Sequence, residues 1–242
     1  MPMQKPPQTR QQHLRQMVAE KQHWSGPSNP AAMAAGFPGW HERGYLPHCD
    51  KPGLVQFVTF RLWDSLPASR RSEWEHLLNL TAPNGISDQE EARQIAREQM
   101  IKLEEYLDRS FGDCLLRDAR VAALAEQVLR YHHGRNFKIL AWVVMPNHIH
   151  ALIQVGPVPL AKTIQNWKSM IAVSTNKLLG RTGRFWQPEY WDRYMRDGDQ
   201  TRKAIRYIEN NPVKAKLCPT PEVWPFGSAR FRDPKTAELV LT

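Results

Sequence analysis

The stretch KILAWVVMPNHIHALIQV, residues 138–155, decides the fold. Its two halves, 138–145 and 148–155, are rich in β-branched and apolar residues, and only Pro146 and Asn147 separate them. Two strands joined by two residues form a tight β-hairpin. The sequence therefore predicts an antiparallel pair of strands at this point of the chain.

Elements on both sides of this hairpin complete a known pattern. Residues 54–62, LVQFVTFRL, carry apolar side chains on both faces, which is typical of a buried strand. Residues 159–179 have the period of an amphipathic helix, and the aromatic segment 184–196 indicates a short strand or hairpin. A last helix could start at Asp197, and Pro212 should limit its end. The order is β-α-β-β-α-β plus a helix, so we expect an α+β, ferredoxin-like split βαβ fold with an antiparallel sheet.

The rest of the chain divides into three segments. Residues 1–44 mix Pro, Gln, Met, Ala and Gly with scattered basic residues, which predicts a mobile basic arm. Residues 65–134 contain three helical patterns and form a helical insertion within a domain that spans 45–232. Residues 233–242 are a C-terminal tail. One domain with extensions fits a chain of 242 residues.

The net charge indicates a polyanionic partner. Lys and Arg number 33 against 24 Asp and Glu, which gives +9. Residues 159–217 hold 12 basic and 5 acidic side chains, so 12 − 5 = +7 of this excess lies in one segment. A solvated basic surface is the alternative, but the concentration of charge favours contacts with a phosphate backbone.

Cysteine usage and hydropathy exclude other classes of protein. Cys49, Cys114 and Cys218 are odd in number and far apart, so they offer neither a C-x-x-C metal knuckle nor a disulfide framework. The chain has no signal-peptide pattern and no apolar run near the roughly 20 residues of a membrane span. We expect a cytoplasmic protein without membrane contact.

His148 and His150 are the first candidate functional residues. They lie two apart on a strand, so both imidazoles point to one face together with Gln154, while the alternate residues point into the core. Two imidazoles side by side on a solvent-accessible face make half of a divalent-metal site. A polar exposed strand face would explain them equally well.

Tyr207 and Asn211 are the second pair. They lie four residues apart on the last helix and so share a face, with Lys203 one turn before and Lys214 just after Pro212. Amphipathic packing and a helix C-cap are the plain structural alternatives. Combined with the histidines, this pair supplies an amide oxygen and a phenol, which are the groups that phosphodiester transfer through tyrosine requires.

A tyrosine beside a divalent-metal site suits the chemistry of phosphodiester transfer. A phenol with a pKa near 10 is a poor nucleophile at neutral pH, and nearby cations favour its phenolate. A divalent ion would polarise the scissile phosphate and offset charge on the leaving 3′-oxygen. A tyrosine ester conserves the bond energy, which agrees with the absence of a G-x-x-x-x-G-K-[ST] nucleotide-binding loop from the sequence.

Taken as an ordered set over residues 44–232, the motifs resemble those of the HUH single-tyrosine transposases, in particular the REP-associated branch. The opening strand of that family is matched by GYLPHCDKPGLVQFVTFRL at 44–62. The other matching stretches are AWVVMPNHIHALI at 141–153, NWKSM at 166–170, RFWQPEYWDRYMR at 184–196, RYIENNPVKAKL at 206–217 and WPFGSAR at 224–230.

The resemblance implies a ferredoxin-like domain that binds single-stranded or hairpin DNA, cleaves it through a 5′-phosphotyrosine and requires Mg²⁺ or Mn²⁺. On the matching positions, His148 and His150 take the role of the paired metal ligands, Tyr207 that of the nucleophile and Asn211 that of the third ligand. The resemblance also implies action on palindromic repeats by a monomer, with a homodimer that exchanges the tyrosine helix as the alternative.

Basic and aromatic residues near these motifs are candidate DNA contacts. Arg184, Trp186, Arg193 and Arg196 alternate cation and aromatic ring, a pattern that suits phosphates and a stacked base. Packing of Trp186 and its aromatic neighbours against the sheet is the alternative. Five more cations border the predicted site, namely Lys168, Arg202, Lys203, Arg206 and Lys214.

Two other functions remain open from the sequence. A DNA-binding protein of the same fold without catalysis would need only the basic segment. A metal-dependent phosphoesterase would need only the histidines, but such enzymes generally carry a second H-x-H or H-x-[ST] motif, and the sequence has none.

Overall fold

The structure is a computed structural model, and it describes residues 34–37, 39–42, 47–65, 105, 107–188 and 190–241. The helical patterns expected around Trp74 and Ile95 lie outside the described residues. The helical insertion is therefore described only at Glu105 and from Leu107 onward.

A small hairpin precedes the main sheet. Strand β1 (Gly39–Glu42) pairs antiparallel with strand β2 (Pro47–Asp50). Phe37 is buried in the hydrophobic core just before β1. Residues 39–42, which belong to the expected mobile arm, are thus part of a paired strand.

A four-stranded antiparallel sheet carries the fold. Numbered along the chain within this sheet, the strands lie in the order second, third, first, fourth, and every neighbouring pair is antiparallel. This arrangement confirms the ferredoxin-like α+β class expected from the sequence. The four strands are β3 (Val55–Arg61), β4 (Phe137–Val144), β5 (His148–Val155) and β6 (Trp191–Tyr194).

Two helices cover one face of this sheet. Helix α1 (Ala119–Arg130) begins where the Asp118 carboxylate accepts a hydrogen bond of 2.9 Å from the Arg120 amide. Helix α2 (Leu160–Leu179) buries Ile164, Trp167 and Ile171, and it ends at Gly180, whose φ of 62° favours glycine. Both helices confirm the sequence-based expectation for their segments.

Helix α3 (Gly198–Lys214) covers the opposite face of the sheet. Its start is as expected, because the Asp197 carboxylate accepts a hydrogen bond of 2.7 Å from the Gln200 amide. Its end is not. Pro212 lies inside the helix, which continues to Lys214, and both Asn211 and Pro212 are buried. Packing against the sheet outweighs the local preference of the residue before proline for extended backbone.

Strand β5 alternates between the two faces as expected, with Ile149, Ala151, Ile153 and Val155 in the core beneath α1 and α2. Strand β4 does so only because the register shifts between Ile139 and Ala141. This irregularity turns Trp142 towards the two-helix face and Val143 towards α3.

The residues after α3 tie this helix to the edge of the sheet. The Val144 amide donates to the Phe226 carbonyl at 2.8 Å, and the Trp224 indole donates to the Val144 carbonyl at 3.1 Å. Arg232 forms an ion pair of 2.8 Å with Glu209 of α3. Residues 233–241 fold back on this segment, since the amide of Val240 donates to the carbonyl of Phe231. None of the helices among the described residues is both long enough and apolar enough to cross a membrane.

Candidate active site

His148 and His150 lie at the start of β5, on the face of the sheet that α3 covers. Each is about 1% exposed. The sequence-based expectation of a solvent-accessible face is therefore wrong for the histidines, although Gln154 further along the strand is exposed. The reason is tertiary, because a strand pattern does not reveal that a later helix packs over the polar face.

The two imidazole rings converge on a common point. The Nε2 atoms of His148 and His150 lie 3.1 Å apart. On the other side of each ring, the Nδ1 atom has a hydrogen-bond partner. His148 Nδ1 lies 2.8 Å from Asn147 Oδ1, and His150 Nδ1 lies 2.7 Å from Thr59 Oγ1. Metal-binding histidines characteristically hold one ring nitrogen with a hydrogen bond and turn the other towards the ion.

Hydrogen bonding also determines which nitrogen of His148 carries the proton. The Asn147 side-chain amide donates to the Phe111 carbonyl at 3.2 Å, and a carbonyl can only accept. The oxygen of Asn147 therefore faces His148, whose Nδ1 must donate to it. In a neutral ring this leaves a lone pair on Nε2, which is the form that binds a metal ion.

Burial keeps both histidines neutral. The pKa of His148 is lowered well below its usual value of 6.5. Desolvation is the largest cause, and the charges of His150, Lys214 and Arg61 add to it. Desolvation and the charge of Lys214 lower the pKa of His150 to about 3. Near neutral pH, both rings are therefore uncharged and do not repel a cation.

Tyr207 lies beside this pair on α3. Its ring centroid is 5.8 Å from that of His150 and 5.9 Å from that of Phe57, and its side chain is half-buried. The Lys214 ammonium lies 6.0 Å from the centre of the Tyr207 ring. The fold thus brings together a phenol, two imidazoles and a cation from distant parts of the sequence.

Asn211 occupies the next turn of α3 after Tyr207 and is about 1% exposed. Neither its amide nitrogen nor its amide oxygen has a hydrogen-bond partner within the described part of the chain. An unpaired buried amide costs about 1–3 kcal/mol. A buried amide in this state can bond a water molecule or a ligand that enters the site.

The donor set limits what a metal site could contain. Across the described ranges, no three His, Cys, Asp or Glu side chains are grouped so that they could hold a metal ion. Asn211 is the candidate third ligand beside the two histidines, because its amide oxygen is buried and has no hydrogen-bond partner among the described residues.

Three residues that sequence reasoning missed support the histidines. Thr59 and Asn147 hold the two Nδ1 atoms, and Arg61 pairs with His148 across the strands. Asn147 could have been suspected because it immediately precedes His148 in the hairpin turn. Thr59 and Arg61 could not, because their nearness to the histidines depends on the β3 to β5 register.

Among the expected DNA contacts, two have structural roles. Trp186 is buried, donates from its indole to the Lys168 carbonyl at 2.9 Å and packs against Phe60. It is therefore not available to stack on an unpaired base, and the packing alternative is correct for this residue. The Lys168 ammonium donates to the carbonyls of Gln187 and Pro188 at 2.6 and 2.7 Å, and so anchors the same segment.

The other expected contacts lie at the surface. The guanidinium of Arg184 lies 4.5 Å from the ring centre of Trp63, and that of Arg202 pairs with Asp199. Arg193 is paired with Phe57 across the strands and so belongs to the face of the sheet that carries the histidines. The exposed members of the set are Arg184, Arg193, Arg196, Arg202, Lys203, Arg206 and Lys214.

Comparison with known proteins supports the sequence resemblance. The family model described as Transposase IS200 like matches residues 115–211, which include both histidines, Tyr207 and Asn211. The REP-associated tyrosine transposase of Escherichia coli (strain K12) is 28% identical over 105 residues, covering 43% of this chain and 62% of that protein. A relative from Haemophilus influenzae (strain ATCC 51907 / DSM 11121 / KW20 / Rd), with a provisional form of the same name, is 26% identical over 103 residues, 38% of this chain and 58% of its own.

This chain thus spans about three fifths of the length of the curated relatives that it matches. Among solved structures, a REP-associated tyrosine transposase bound to a REP hairpin aligns with 84% of this chain and 98% of its own, at 17% identity and a TM-score of 0.44. The expected resemblance is confirmed, since the chain is similar to IS200-like and REP-associated tyrosine transposases.

Proposed function

We propose that this chain, which is similar to REP-associated tyrosine transposases, is a metal-dependent endonuclease and strand transferase for single-stranded or hairpin DNA. The observation that carries the proposal is the pair of neutral imidazoles, with Nε2 atoms 3.1 Å apart, beside the ring of Tyr207. The names of the relatives extend the proposal to palindromic repeat DNA as the substrate class.

In this proposal His148, His150 and Asn211 hold Mg²⁺ or Mn²⁺. The residues fit such an ion, because the imidazoles are neutral and Asn211 has an unpaired buried oxygen among the described residues. An ion held by these residues would supply Lewis-acid stabilisation of the charge that develops on the scissile phosphate and the leaving 3′-oxygen. Two nitrogen ligands suit Mn²⁺ better than Mg²⁺, which prefers oxygen, so we expect Mn²⁺ to support activity at the lower concentration.

Tyr207 is the nucleophile of the proposed reaction. Its phenolic oxygen loses a proton and attacks phosphorus, the bond between phosphorus and the 3′-oxygen breaks, and the strand on the 3′ side of the cut becomes esterified to the tyrosine through its 5′-phosphate. The departing 3′-oxygen takes up a proton. Attack by a 3′-hydroxyl group on the phosphotyrosine reverses these steps and joins the strand without ATP. The charge of Lys214 near the ring favours the phenolate.

The exposed cations are the proposed contacts with the DNA backbone. Arg193 shares the sheet face of the histidines, and Lys203, Arg206 and Lys214 follow the helix that carries Tyr207. Phosphate contacts of this kind position a strand but carry no sequence information. They therefore support binding of a nucleic acid strand near Tyr207 and leave the recognised sequence to other contacts.

We also propose that the active unit is a monomer in which Tyr207 acts with the histidines of its own chain. Ring packing of Tyr207 against His150, and the Glu209–Arg232 ion pair, favour this arrangement. A mixture of Tyr207→Phe and His148→Ala proteins tests it. Absence of cleavage in the mixture supports a monomer, whereas restored cleavage would demonstrate a homodimer with exchanged helices.

The central experiment is a search for a covalent adduct. The full chain is incubated with labelled hairpin DNA from its own genomic neighbourhood and Mn²⁺, and a protein–DNA species that survives denaturation is measured. Loss of the adduct in Tyr207→Phe and in His148→Ala supports the proposal. Tyr131→Phe is the matched control, because Tyr131 is 67% exposed in the turn after α1, and it should form the adduct normally.

A DNA-binding protein of the same fold without strand transfer is the second candidate. The charge of +7 in residues 159–217 favours it, because this charge needs no catalytic residue to bind DNA. Tight, salt-dependent binding without an adduct under any divalent metal would support this candidate over the enzyme.

A further inference from the structure

Residues 107–116, within the helical insertion, contact the candidate active site. The Phe111 carbonyl accepts from the side chain of Asn147, and the Leu116 amide donates to the Pro146 carbonyl at 3.2 Å. Three residues before Phe111, the carboxylate of Asp108 lies 2.7 Å from the ammonium of Lys214. The segment 107–116 is therefore a wall that connects the histidine turn with the tyrosine helix.

The ion pair between Asp108 and Lys214 has an unusual position. The ammonium that Asp108 holds also lies 6.0 Å from the centre of the Tyr207 ring. Its charge contributes to the lowered pKa of both histidines, so the cation acts on the whole site. The Asp108 side chain is 15% exposed and that of Lys214 is 50% exposed, which leaves the ammonium open to a second anion from solvent.

We propose that Asp108 is a positioning residue that holds Lys214 over Tyr207 in the free protein and gives it up to a phosphate of the bound DNA strand. This inference rests on the proposed function and adds to it the phosphate-binding position beside the nucleophile. A carboxylate and a phosphate both bind an ammonium through oxygen, so they compete for it. Partly exposed ion pairs contribute only about 0.2–1 kcal/mol, so an arriving phosphate can replace Asp108.

The test is a double-mutant cycle on DNA affinity. The Kd for a single-stranded oligonucleotide is measured with the full chain in EDTA at fixed low salt, so that neither metal nor cleavage enters. We expect Asp108→Asn to tighten binding roughly twofold to fivefold, because the competitor of the phosphate is removed. Lys214→Gln should weaken binding. Asp108→Asn should then have no effect in the Lys214→Gln protein, and Asp108→Glu should bind like the wild type.

Two controls separate this role from other effects. Glu105→Gln changes the net charge by the same amount at an exposed position three residues from Asp108, and it should leave Kd within experimental error. Melting temperatures identify a merely structural role, which would lower stability without changing Kd.

Any of four results would overturn the inference. Glu105→Gln could tighten binding as much as Asp108→Asn, or Asp108→Asn could leave Kd unchanged. The wild type could fail to bind the oligonucleotide, or the effects of Asp108→Asn and Lys214→Gln could be additive. Failure of the proposed function would look different, because binding and its coupling would persist while no variant formed the covalent adduct.

Discussion

The face of the sheet under α1 and α2 buries large apolar side chains, among them Trp142, Trp167 and Phe60. The face under α3 is also buried, but it contains two imidazoles, the ring of Tyr207 and the amide of Asn211, which has no partner among the described residues. Burial of polar groups costs free energy that burial of apolar groups supplies. The two-helix face therefore stabilises the fold, and this stability offsets the cost of keeping neutral, buried imidazoles on the α3 face.

The largest expected effect separates chemistry from packing on the α3 face. Tyr207→Phe removes the oxygen that we propose as the nucleophile and retains the ring that contacts His150 and Phe57. We expect adduct formation to fall by at least about 10³-fold, as with other essential nucleophiles. The melting temperature and DNA affinity should stay near those of the wild type. Undiminished adduct formation would reject the role of Tyr207.

The next effect should appear on the opposite face. Trp167 is fully buried, with its ring centroid 5.0 Å from that of Phe137 and 6.4 Å from that of Phe60. Trp167→Ala should lower the free energy of unfolding by about 3–5 kcal/mol, because it removes a large buried side chain and leaves a cavity. Urea unfolding measures this loss. A cost below about 1 kcal/mol would contradict the assignment of stability to this face.

Asn211 provides a test in which stability and metal binding should move in opposite directions. Asn211→Leu replaces a buried amide, unpaired within the part of the chain that the structure describes, with an apolar group of similar size, so without metal the protein should be as stable as the wild type or more stable. Loss of the amide oxygen should weaken Mn²⁺ binding about 10- to 100-fold.

Thermal melting with EDTA and with increasing Mn²⁺ measures both quantities for Asn211→Leu. Asn210→Leu is the matched control, because Asn210 is exposed on the same helix. A marked loss of stability without metal would show that the Asn211 amide has a structural role instead.

The remaining test is the pH dependence of stability. The pKa of His148 is lowered, and that of His150 is lowered to about 3, chiefly by burial. In the unfolded chain both titrate near 6.5, so below that pH the unfolded state binds protons that the folded state does not. The stability that this linkage governs is complete above about pH 6.5 and falls as the pH approaches 3.

Its slope should be on the order of 1.4 kcal/mol per pH unit for each histidine. Urea unfolding in EDTA at pH 7 and pH 5 measures this pH dependence of the free energy of unfolding. His150→Gln should remove the part of the slope that His150 contributes. His132→Gln, in the turn after α1, should keep the full dependence. A His150→Gln protein with an unchanged slope would contradict burial as the source.

Much of this fold follows from local patterns. The hairpin needs only two apolar runs and a two-residue connection, and α3 begins at Asp197 because a capping carboxylate is a local signal. The predicted end of α3 was wrong. The sequence shows the local effect of Pro212 on the backbone, but not its burial against the sheet, which is a long-range effect. The irregularity of β4 near Leu140 has no sequence signal that we recognise, yet it determines which face Trp142 takes.

The candidate site divides in the same way. Its residue types and their spacing along single elements, His148 with His150 and Tyr207 with Asn211, are properties of the sequence, because strand and helix periods fix which side chains share a face. The burial of the histidines, their partners Thr59 and Asn147, and the pairing of Asp108 with Lys214 were decided only by the tertiary structure. The physical reason is that pKa values, hydrogen bonds and ion pairs depend on what other segments place beside a side chain, and no local period contains that information.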